Sequence, residues 1–500
     1  MRSAGVTPNV VIYTTLLKGH CAAGDTPAAL KLIDAMSKED PPVVPDLRSL
    51  NTFIRGCIRV GDIEAAHSLF IQIKQKWGLE PDATSYKYCV KLLAQGLRFQ
   101  DLKCLLKELR KAAGKGEEAS VAVLSGLENG IALHLDVASA AAMLGKWPAA
   151  WSNLERAKEA MSKGNGEAEG GELFNQTRLK ELGIEMKRLE SFLRANQGGS
   201  EESSVVSPDL PSYLSRCFVF SSLLSSEDVN ETPVNELAGA LSRKTLSTMG
   251  GVELVRRDQT TKEEIESQYD RNLTEKGKIK WKKLFKESGG DLPLKMEICS
   301  GNGDWVAAQA DSESSKANWV ALELRHDRVY SIYSRMVYGS LSNLAVLGGD
   351  ASSIVERNVK KETVSQVCIN FPEPPHWSGN ESAESKLHLL TPAFFLALWK
   401  ILKSKGRLTI FSDNYLYCQS LAASLGQLSK GGKSLYKSND KASITSGDGG
   451  HELHNGVRLY YGIPGPDSGH AVNVTSYFDR FWERGQHTER YFIAVIKVDN

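Results

Sequence analysis

The chain lacks paired cysteines and long apolar runs, and its net charge is close to zero. Each of these features excludes a class of protein or of site. Its eight cysteines are scattered and form no CxxC pair, which argues against a disulfide framework or a zinc site and indicates a reducing compartment. No apolar run approaches the roughly 18 residues that a membrane-spanning helix needs. The formal net charge is only +1, so any affinity for nucleic acid must come from local patches. We therefore expect neither a membrane nor a metal among its partners.

The chain is too long for one ordinary domain, and its composition changes along its length. Its 500 residues predict two or three domains. A low-complexity stretch, Leu428–Gly450, is predicted to be a mobile loop within the last of them. The predicted segments are helical repeats at 1–111, further helical hairpins at 112–196, a linker at 197–215, a lead-in segment at 216–291 and an α/β domain at 292–500.

Three segments of the N-terminal third align with one another. They begin at Val10, Leu47 and Ala83, and the first two close with Pro-Asp pairs that end at Asp46 and Asp82. Each unit reads as two helices joined by a turn, the second helix being amphipathic. Because such hairpins cannot bury their apolar faces alone, they stack. The pattern therefore predicts an α-solenoid.

This repeat resembles the pentatricopeptide repeat in its closing Pro-Asp pair and in Tyr13 near its start. The resemblance implies that single-stranded RNA is read at about one base per repeat, through the fifth and last residues of each unit. Those positions are held by Thr14 with Asp46 and by Asn51 with Asp82. The family's preferences suggest G for the first pair and U for the second. Two and a half repeats are too few for sequence-specific binding, so a protein-binding or purely structural solenoid is the alternative.

The same resemblance implies a cellular location. Pentatricopeptide proteins act mostly in chloroplasts or mitochondria, so we expect an organelle, with the cytoplasm or nucleus as the alternative. The segment Met1–Asn9 carries no signal-peptide pattern and reads like the end of a preceding repeat. We therefore expect further repeats upstream.

A glycine turn after an apolar strand is the strongest local signal in the C-terminal half. Lys295–Cys299 reads as a short buried strand, and Gly301 and Gly303 lie in the turn behind it. Such a turn lets the backbone approach a ligand closely. Glu323 follows Gly303 by 20 residues and ends the next apolar strand, where a carboxylate can accept hydrogen bonds from both ribose hydroxyls of a nucleoside. Together they predict a nucleotide-type site.

Carboxylates end or follow four successive predicted strands. They are Glu323, Asp350, Glu373 and Asp413. Strands that alternate with helices predict a parallel sheet covered on both faces, whose ligands bind beyond the carboxyl ends of the strands. Four acids at one such edge, beside a glycine turn, predict a binding site there rather than solvated loops.

These motifs resemble those of the tRNA (guanine-N7-)-methyltransferase family of TrmB type. The segments EICSGNGDW, ALELR, LGGDA, NFPEPPHW, LLTPAFF and FSDNYLY occur in that family's order and spacing over about residues 292–500. The most specific of them is Asn370–Pro374. The resemblance implies a class I, Rossmann-like methyltransferase fold, S-adenosylmethionine as the methyl donor, and N7-methylation of a guanine in RNA, most specifically tRNA.

The resemblance also implies which residues bind the donor. The amino-acid part would be held at Glu297 and the glycine turn, the ribose at Glu323, and the adenine along Asp350 with Ala351. The implied donor-binding residues are Glu297, Gly301, Gly303, Glu323, Asp350, Ala351 and Asn370.

Two acids are implied as catalytic residues. Glu373 would lie near the reacting methyl group, and Asp413 would contact the target guanine. Ser476 and Asp479 match the family's terminal Thr-x-x-acid segment and would also bind substrate. No general base is needed, because guanine N7 has a free lone pair and loses no proton. Catalysis would come from alignment and electrostatics, and an Asp413 carboxylate can accept from the guanine N1–H and amino group.

Several positions depart from the family pattern. Cys299 stands where the family has its first glycine, Glu373 where it has aspartate, and Trp377 where it has a substrate-binding lysine. These departures keep two alternatives open, a non-catalytic RNA-binding scaffold and a methyltransferase that acts on another substrate, even a protein.

A basic run lies just before the first core strand. Its cations surround Trp281 and Phe285, and basic residues with interleaved aromatics suit phosphate and base contacts. A solvated helix with a packed tryptophan is the alternative. The cations are Arg271, Lys276, Lys278, Lys280, Lys282, Lys283 and Lys286.

Overall fold

The chain folds into antiparallel helices followed by a domain built on one mixed β-sheet. The computed structural model describes residues 8–163, 172–197, 209–220, 241, 243–249, 262–374, 388–447, 449–472 and 489–499. This order of elements confirms the predicted fold class, an α-solenoid of helical hairpins before a class I, Rossmann-like domain.

The helices of the N-terminal part pair into hairpins, as the aligned repeats predict. The Asp46 and Asp82 carboxylates accept hydrogen bonds from the backbone N–H groups of Ser49 and Ser85, so each Pro-Asp pair caps the first helix of the next hairpin. The helices are α1 (Val10–Ala23), α2 (Thr26–Met36), α3 (Leu47–Val60), α4 (Ile63–Trp77), α5 (Ala83–Gln95), α6 (Phe99–Gly114), α7 (Glu118–Glu128), α8 (Ile131–Met143), α9 (Trp147–Ser162) and α10 (Glu172–Gln197).

Helices α8 and α9 lie within the segment 112–196, and α10 ends one residue beyond it. The Trp147 ring of α9 lies 6.2 Å from the Phe192 ring of α10, so the two helices pack through an aromatic pair. Within the described ranges, no single helix is long and apolar enough to cross a bilayer. The pair α7 and α8 passes that test together but is bent by 73°.

The C-terminal part adds strands and helices in alternation. Its strands are β1 (Cys217–Val219), β2 (Leu294–Ile298), β3 (Asn318–Glu323), β4 (Leu344–Gly348), β5 (Val364–Asn370), β6 (Leu402–Ser412), β7 (Ser429–Lys430), β8 (Lys433–Ser434), β9 (Tyr436–Ser438), β10 (Ile444–Ser446), β11 (His451–His454), β12 (Val457–Tyr461), β13 (Ile463–Pro464) and β14 (Tyr491–Lys497). Its helices are α11 (Leu210–Leu214), α12 (Lys262–Asn272), α13 (Trp281–Leu284), α14 (Asp304–Ser312), α15 (His326–Tyr338), α16 (Ala351–Arg357), α17 (Pro392–Ile401) and α18 (Tyr415–Gln427), with a 3-10 turn at Pro466–Ser468.

The main sheet has the strand order β1-β4-β3-β2-β5-β6-β14-β12-β11, and β9 also pairs with β14. Strands β1 to β6 are parallel, whereas β14 runs antiparallel to β6. Strands β3 and β4 lie on one side of β2, and strands β5 and β6 lie on its other side. The carboxyl ends of β2 and β5 therefore flank the point where ligands bind in such sheets.

The sheet extends further upstream than predicted. Strand β1 lies in the predicted lead-in segment, yet it pairs in parallel with β4, with Phe218 opposite Leu347. All three residues of β1 are buried. Three residues are too few to show a periodicity, so the sequence alone did not indicate this strand.

The predicted mobile loop Leu428–Gly450 is corrected by the structure. It holds β7 to β10, and β9 joins the main sheet through β14. Leu435 and Tyr436 are buried, and the Tyr436 hydroxyl donates a 2.8 Å hydrogen bond to the Phe395 carbonyl. These two side chains fix the stretch to the core. Because the rest of the stretch is polar, its composition did not indicate them.

The histidine-containing run His451–His454 lies directly after the predicted loop. It forms edge strand β11, antiparallel to β12. The His454 ring contacts the Glu452 carboxylate at 2.7 Å, and that carboxylate also accepts from the Tyr415 hydroxyl. Both side chains are thus engaged in pairing on the strand.

The basic run before β2 does not offer its aromatic rings to bases. Trp281 and Phe285 are buried and stack on each other at 6.4 Å. The Lys278 ammonium donates to the Glu356 and Val359 carbonyls. The packed-tryptophan alternative is therefore the correct one, because these rings fill the core under α13.

Candidate active site

The candidate site begins where β2 and β5 end side by side. The Asn370 amide, at the end of β5, donates a 2.7 Å hydrogen bond to Oε1 of Glu297 near the end of β2. Both side chains are buried, at 2% exposure for Glu297 and 8% for Asn370. This bond joins the two strand ends at the position where the sheet order reverses.

The second carboxylate oxygen of Glu297 is buried and has no hydrogen-bond partner among the described residues. Burial raises the pKa of Glu297 to about 8, against the opposing effect of the hydrogen bond from Asn370. A buried, half-satisfied carboxyl of this kind is costly unless a cation or donor pairs with it. The geometry therefore suits a ligand that carries a positive charge.

The glycine turn is shaped by both of its glycines, for different reasons. Gly301 has φ +55°, and a Cβ at that position would meet no atom within 4 Å, so the space beside it is open. Gly303 has φ +80°, and a Cβ there would lie 2.5 Å from Cγ1 of Ile332 on α15. Gly301 thus leaves room for a ligand, whereas Gly303 lets the turn pack against a helix.

Glu323 closes the turn from the end of β3. Its Oε2 accepts a 2.8 Å bond from the Gly301 N–H and its Oε1 a 3.0 Å bond from the Arg325 N–H. Burial raises the pKa of this carboxyl, and the nearby Arg328 charge opposes the rise. Each oxygen keeps a further lone pair, so ribose hydroxyls could still donate to it.

Asp350 and Ala351 lie at the end of the neighbouring strand β4. The Asp350 carboxylate caps α16 by accepting a 2.7 Å hydrogen bond from the Ser353 N–H. Asp350 is exposed, and Ala351 is buried at 7% exposure. The Gly349 N–H, just before Asp350, donates a 2.9 Å hydrogen bond to the Glu323 carbonyl, so this turn lies beside Glu323.

Glu373 and Asp413 follow β5 and β6, the next two strands at the same edge. The Glu373 side chain is exposed, and its carbonyl oxygen lies 2.8 Å from Nε2 of His388. His388 also contacts the Tyr417 hydroxyl at 2.8 Å. Asp413 is half-buried and directly precedes Asn414, the cap of α18.

Cys299 lies among these acids. It has φ +63°, a left-handed conformation that glycine adopts without strain, which explains why a glycine suits this position. Cys299 is exposed, and the protein atoms around its thiol, followed by the charges of Glu323 and Glu297, raise the pKa of that thiol to about 12.

Ser476 and Asp479, predicted to bind substrate, lie outside the described residues, as does Trp377. The segment that leads to the first two is described up to Val472. Gln309 of α14 fixes that point, because its amide donates to the Val472 carbonyl at 2.9 Å and accepts from the Val472 N–H at 3.2 Å. The chain therefore enters the 473–488 segment next to the helix that follows the glycine turn.

The predicted base-reading residues lie together in the repeats, away from these acids in the chain. The Asn51 amide donates a 3.1 Å hydrogen bond to the Asp82 carboxylate. Thr14 and Asp46 are joined through Ser49, whose hydroxyl is 2.7 Å from that of Thr14 and donates to Asp46 at 2.6 Å. The structure thus brings each predicted pair into contact, directly or through one side chain.

Comparison with known protein families identifies the family of this chain. The Methyltransf_4 methyltransferase family matches residues 291–443, and the PPR repeat matches residues 4–37 and 48–77. A tRNA (guanine-N(7)-)-methyltransferase of Chlamydia muridarum is 34% identical over 162 residues, 32% of this chain and 69% of that protein. The chain belongs to the tRNA (guanine-N7-)-methyltransferase family. Both predicted resemblances, to that family and to the pentatricopeptide repeat, are confirmed.

Two further relatives show how the two halves are distributed. The tRNA (guanine-N(7)-)-methyltransferase of Chlamydia felis is 37% identical over 138 residues, which cover 27% of this chain and 58% of that protein. A chloroplastic pentatricopeptide repeat-containing protein of Arabidopsis thaliana is 32% identical over 120 residues, 24% of this chain and 15% of that protein. The chain thus spans 58% of the length of the Chlamydia felis methyltransferase and 69% of that of Chlamydia muridarum.

S-adenosylmethionine, the donor of this family, fits the residues present. Its sulfonium and ammonium groups are cations. When Glu297 is ionised, its buried, unpartnered oxygen carries negative charge that can pair with such a cation. The open space beside Gly301 admits a ligand close to the backbone, and Glu323 ends the adjacent strand. The methyltransferase domain is accordingly of the S-adenosylmethionine-dependent class.

Sequence reasoning missed the polar side chains of α15. Arg335 donates through Nε to the Asn302 carbonyl at 2.6 Å, and Ser331 donates to the same oxygen at 3.2 Å. Together with Arg328 these residues are spaced three and four apart, so they form one polar stripe on a largely apolar helix. That stripe is the feature of the sequence from which these residues could have been identified.

Proposed function

We propose that this chain transfers the methyl group of S-adenosylmethionine to N7 of a guanine in RNA, with tRNA as the acceptor class. The observation that carries the proposal is the Glu297–Asn370 pair at the sheet switch point, with its buried, unpartnered oxygen beside an open glycine turn. Family membership supports the choice of reaction. The choice of a tRNA guanine follows the activity for which the chlamydial relatives are named.

The donor would lie along the strand ends in a fixed order. Glu297 and the turn hold its amino-acid part, Glu323 binds the ribose, and Asp350 with Ala351 borders the adenine. The donor supplies an electrophilic methyl group on a positively charged sulfur. The protein's task is to align that group with the acceptor and to keep water away.

The acceptor guanine would enter beside Glu373 and Asp413. Its N7 lone pair attacks without losing a proton, so neither carboxylate has to act as a general base. Asp413 accepts hydrogen bonds from the N1–H and amino group of guanine, a pattern that adenine does not offer. The base must leave its stack to reach such a pocket. The repeats, with Thr14/Asp46 and Asn51/Asp82, supply further RNA contacts.

The proposal is tested by transfer of label. The full chain is incubated with methyl-labelled S-adenosylmethionine and total RNA, and the RNA is digested to nucleosides. We expect label in N7-methylguanosine from the tRNA fraction. Absence of transfer despite donor binding supports the non-catalytic scaffold, and label in another nucleoside or in protein supports a different acceptor. Either result would overturn the proposed reaction.

Donor binding at neutral pH is expected to release up to one proton from Glu297. Its raised pKa, about 8, means that the carboxyl is largely neutral in the free protein, and a bound ammonium group favours the ionised form. Affinity should therefore rise as the pH approaches 8. Calorimetry in buffers of different ionisation enthalpy measures the proton, and Glu297→Gln should remove this release. Equal heats in all buffers for the parent protein would contradict the role of Glu297.

An organellar location is also part of the proposal, in a chloroplast or a mitochondrion. It rests on the repeat resemblance, and the Arabidopsis relative is named as chloroplastic. Fractionation of cells that express the natural full-length protein tests it, and recovery in the cytosol or nucleus would refute it.

A further inference from the structure

Helix α15 is held at both ends by the helical region. At its start, the buried His326 ring packs so closely on Gly61, after α3, that a Cβ on Gly61 would lie 2.5 Å from it. At its end, the Tyr338 hydroxyl is 2.6 Å from that of Ser139 on α8, and its ring is 4.7 Å from Phe192 on α10. The repeats and hairpins therefore share this helix with the catalytic sheet.

Between these two contacts, the Arg335 side chain binds the glycine turn. Its side chain is only 5% exposed. It donates through Nε to the carbonyl of Asn302, the residue between the two turn glycines, and its Nη1 lies 2.8 Å from Oδ1 of Asp304, the first residue of α14. One guanidinium thus contacts both the turn and the start of α14, through a hydrogen bond to Asn302 and an ion pair with Asp304.

The same cluster continues onto α10. Oε1 of Glu185 lies 3.7 Å from Nη2 of Arg335, and Nη2 of Arg188 lies 3.7 Å from Oδ1 of Asp304. The side chain of Asp304 is 9% exposed, and that of Arg188 is 33% exposed. Acidic and basic groups of α10, α14 and α15 therefore alternate in this cluster, and its innermost pair, Arg335 with Asp304, is shielded from solvent, which strengthens it.

We propose that Arg335 and Arg188 are positioning residues of the donor site, through which helix α10 holds the glycine turn in its donor-binding conformation. The inference rests on the proposed function only in taking this turn as the donor site. It couples the hairpin region to the donor site through α14 and α15. A displacement of α10, including one caused by RNA on the neighbouring repeats, changes donor affinity by linkage.

The test compares two arginines on the same helix in the full chain. Arg188→Gln removes the charge next to Asp304, whereas the control Arg194→Gln removes an exposed arginine that pairs with Glu190 on its own helix. We expect the Kd for S-adenosylmethionine to rise about three- to tenfold for Arg188→Gln and to stay within about twofold for the control. Arg188→Lys should restore most of the affinity. The KM for the donor should follow Kd, with kcat at saturating donor unchanged.

A second variant covers the buried residue. Arg335→Lys keeps a positive charge beside Asp304 but removes the Nε–H that donates to Asn302, and we expect a larger rise in donor Kd. Far-UV circular dichroism and thermal unfolding report whether each variant is folded. If both variants bind the donor as tightly as the parent, the inference is wrong while the proposed function stands. If the parent itself binds no donor, the proposed function fails instead.

Discussion

Replacing Glu323 with alanine is expected to raise the Kd for S-adenosylmethionine by roughly 30- to 700-fold, about 2–4 kcal/mol. The carboxylate would accept from the ribose hydroxyls, and such charge-assisted bonds in a buried site are strong. It also accepts from the Gly301 N–H, so the variant loosens the turn that faces the donor. Isothermal titration of the purified chain with the donor measures the change.

The matched control is Glu356→Gln, an exposed carboxyl on α16. It should leave the Kd within about twofold, because exposed charges at that distance are screened. Glu323→Gln distinguishes charge from shape, since it keeps the volume and an acceptor oxygen. A donor affinity of Glu323→Ala equal to that of the parent would show that the ribose does not bind at the end of β3.

Replacing Asp413 with asparagine is expected to lower kcat/KM for RNA by about 10- to 150-fold while donor Kd stays unchanged. The amide has one acceptor oxygen and an NH₂ group, so it presents a donor where guanine also presents donors. The loss should therefore appear with the acceptor alone. Single-turnover methylation of tRNA, with donor titration in parallel, separates the two effects.

Asp311→Asn is the control for this variant, because Asp311 is an exposed carboxyl at the far end of α14. It should retain the parent's rate with tRNA. A rate for Asp413→Asn close to the parent's would place guanine recognition elsewhere, and a matching loss of donor affinity would make Asp413 part of the donor site instead.

The sequence by itself determined the fold class, helical hairpins followed by a parallel sheet. The 36-residue spacing of Asp46 and Asp82 predicts the hairpins, since each aspartate caps the helix that follows it. The continuous apolar run Trp319–Leu322 predicts a strand buried on both faces, and every residue of β3 is buried. Local capping and burial leave marks at fixed spacing, so they can be read without the fold.

The strand-end acids were equally accessible to sequence reasoning. Parallel strands that alternate with helices must end at one edge, whatever their order in the sheet. The pairing of Glu297 with Asn370, however, depends on β2 and β5 being neighbours, although they are separated by 73 positions along the chain.

Only the tertiary structure decided which charges meet across the two halves of the molecule. The contacts from Arg188 to Asp304 and from Tyr338 to Ser139 join residues that are far apart in the chain and share no motif. Burial likewise removed Trp281 from the list of base-stacking residues and made β9 part of the sheet. Such outcomes depend on which surfaces pack together, and a periodicity along one segment carries no information about its partner.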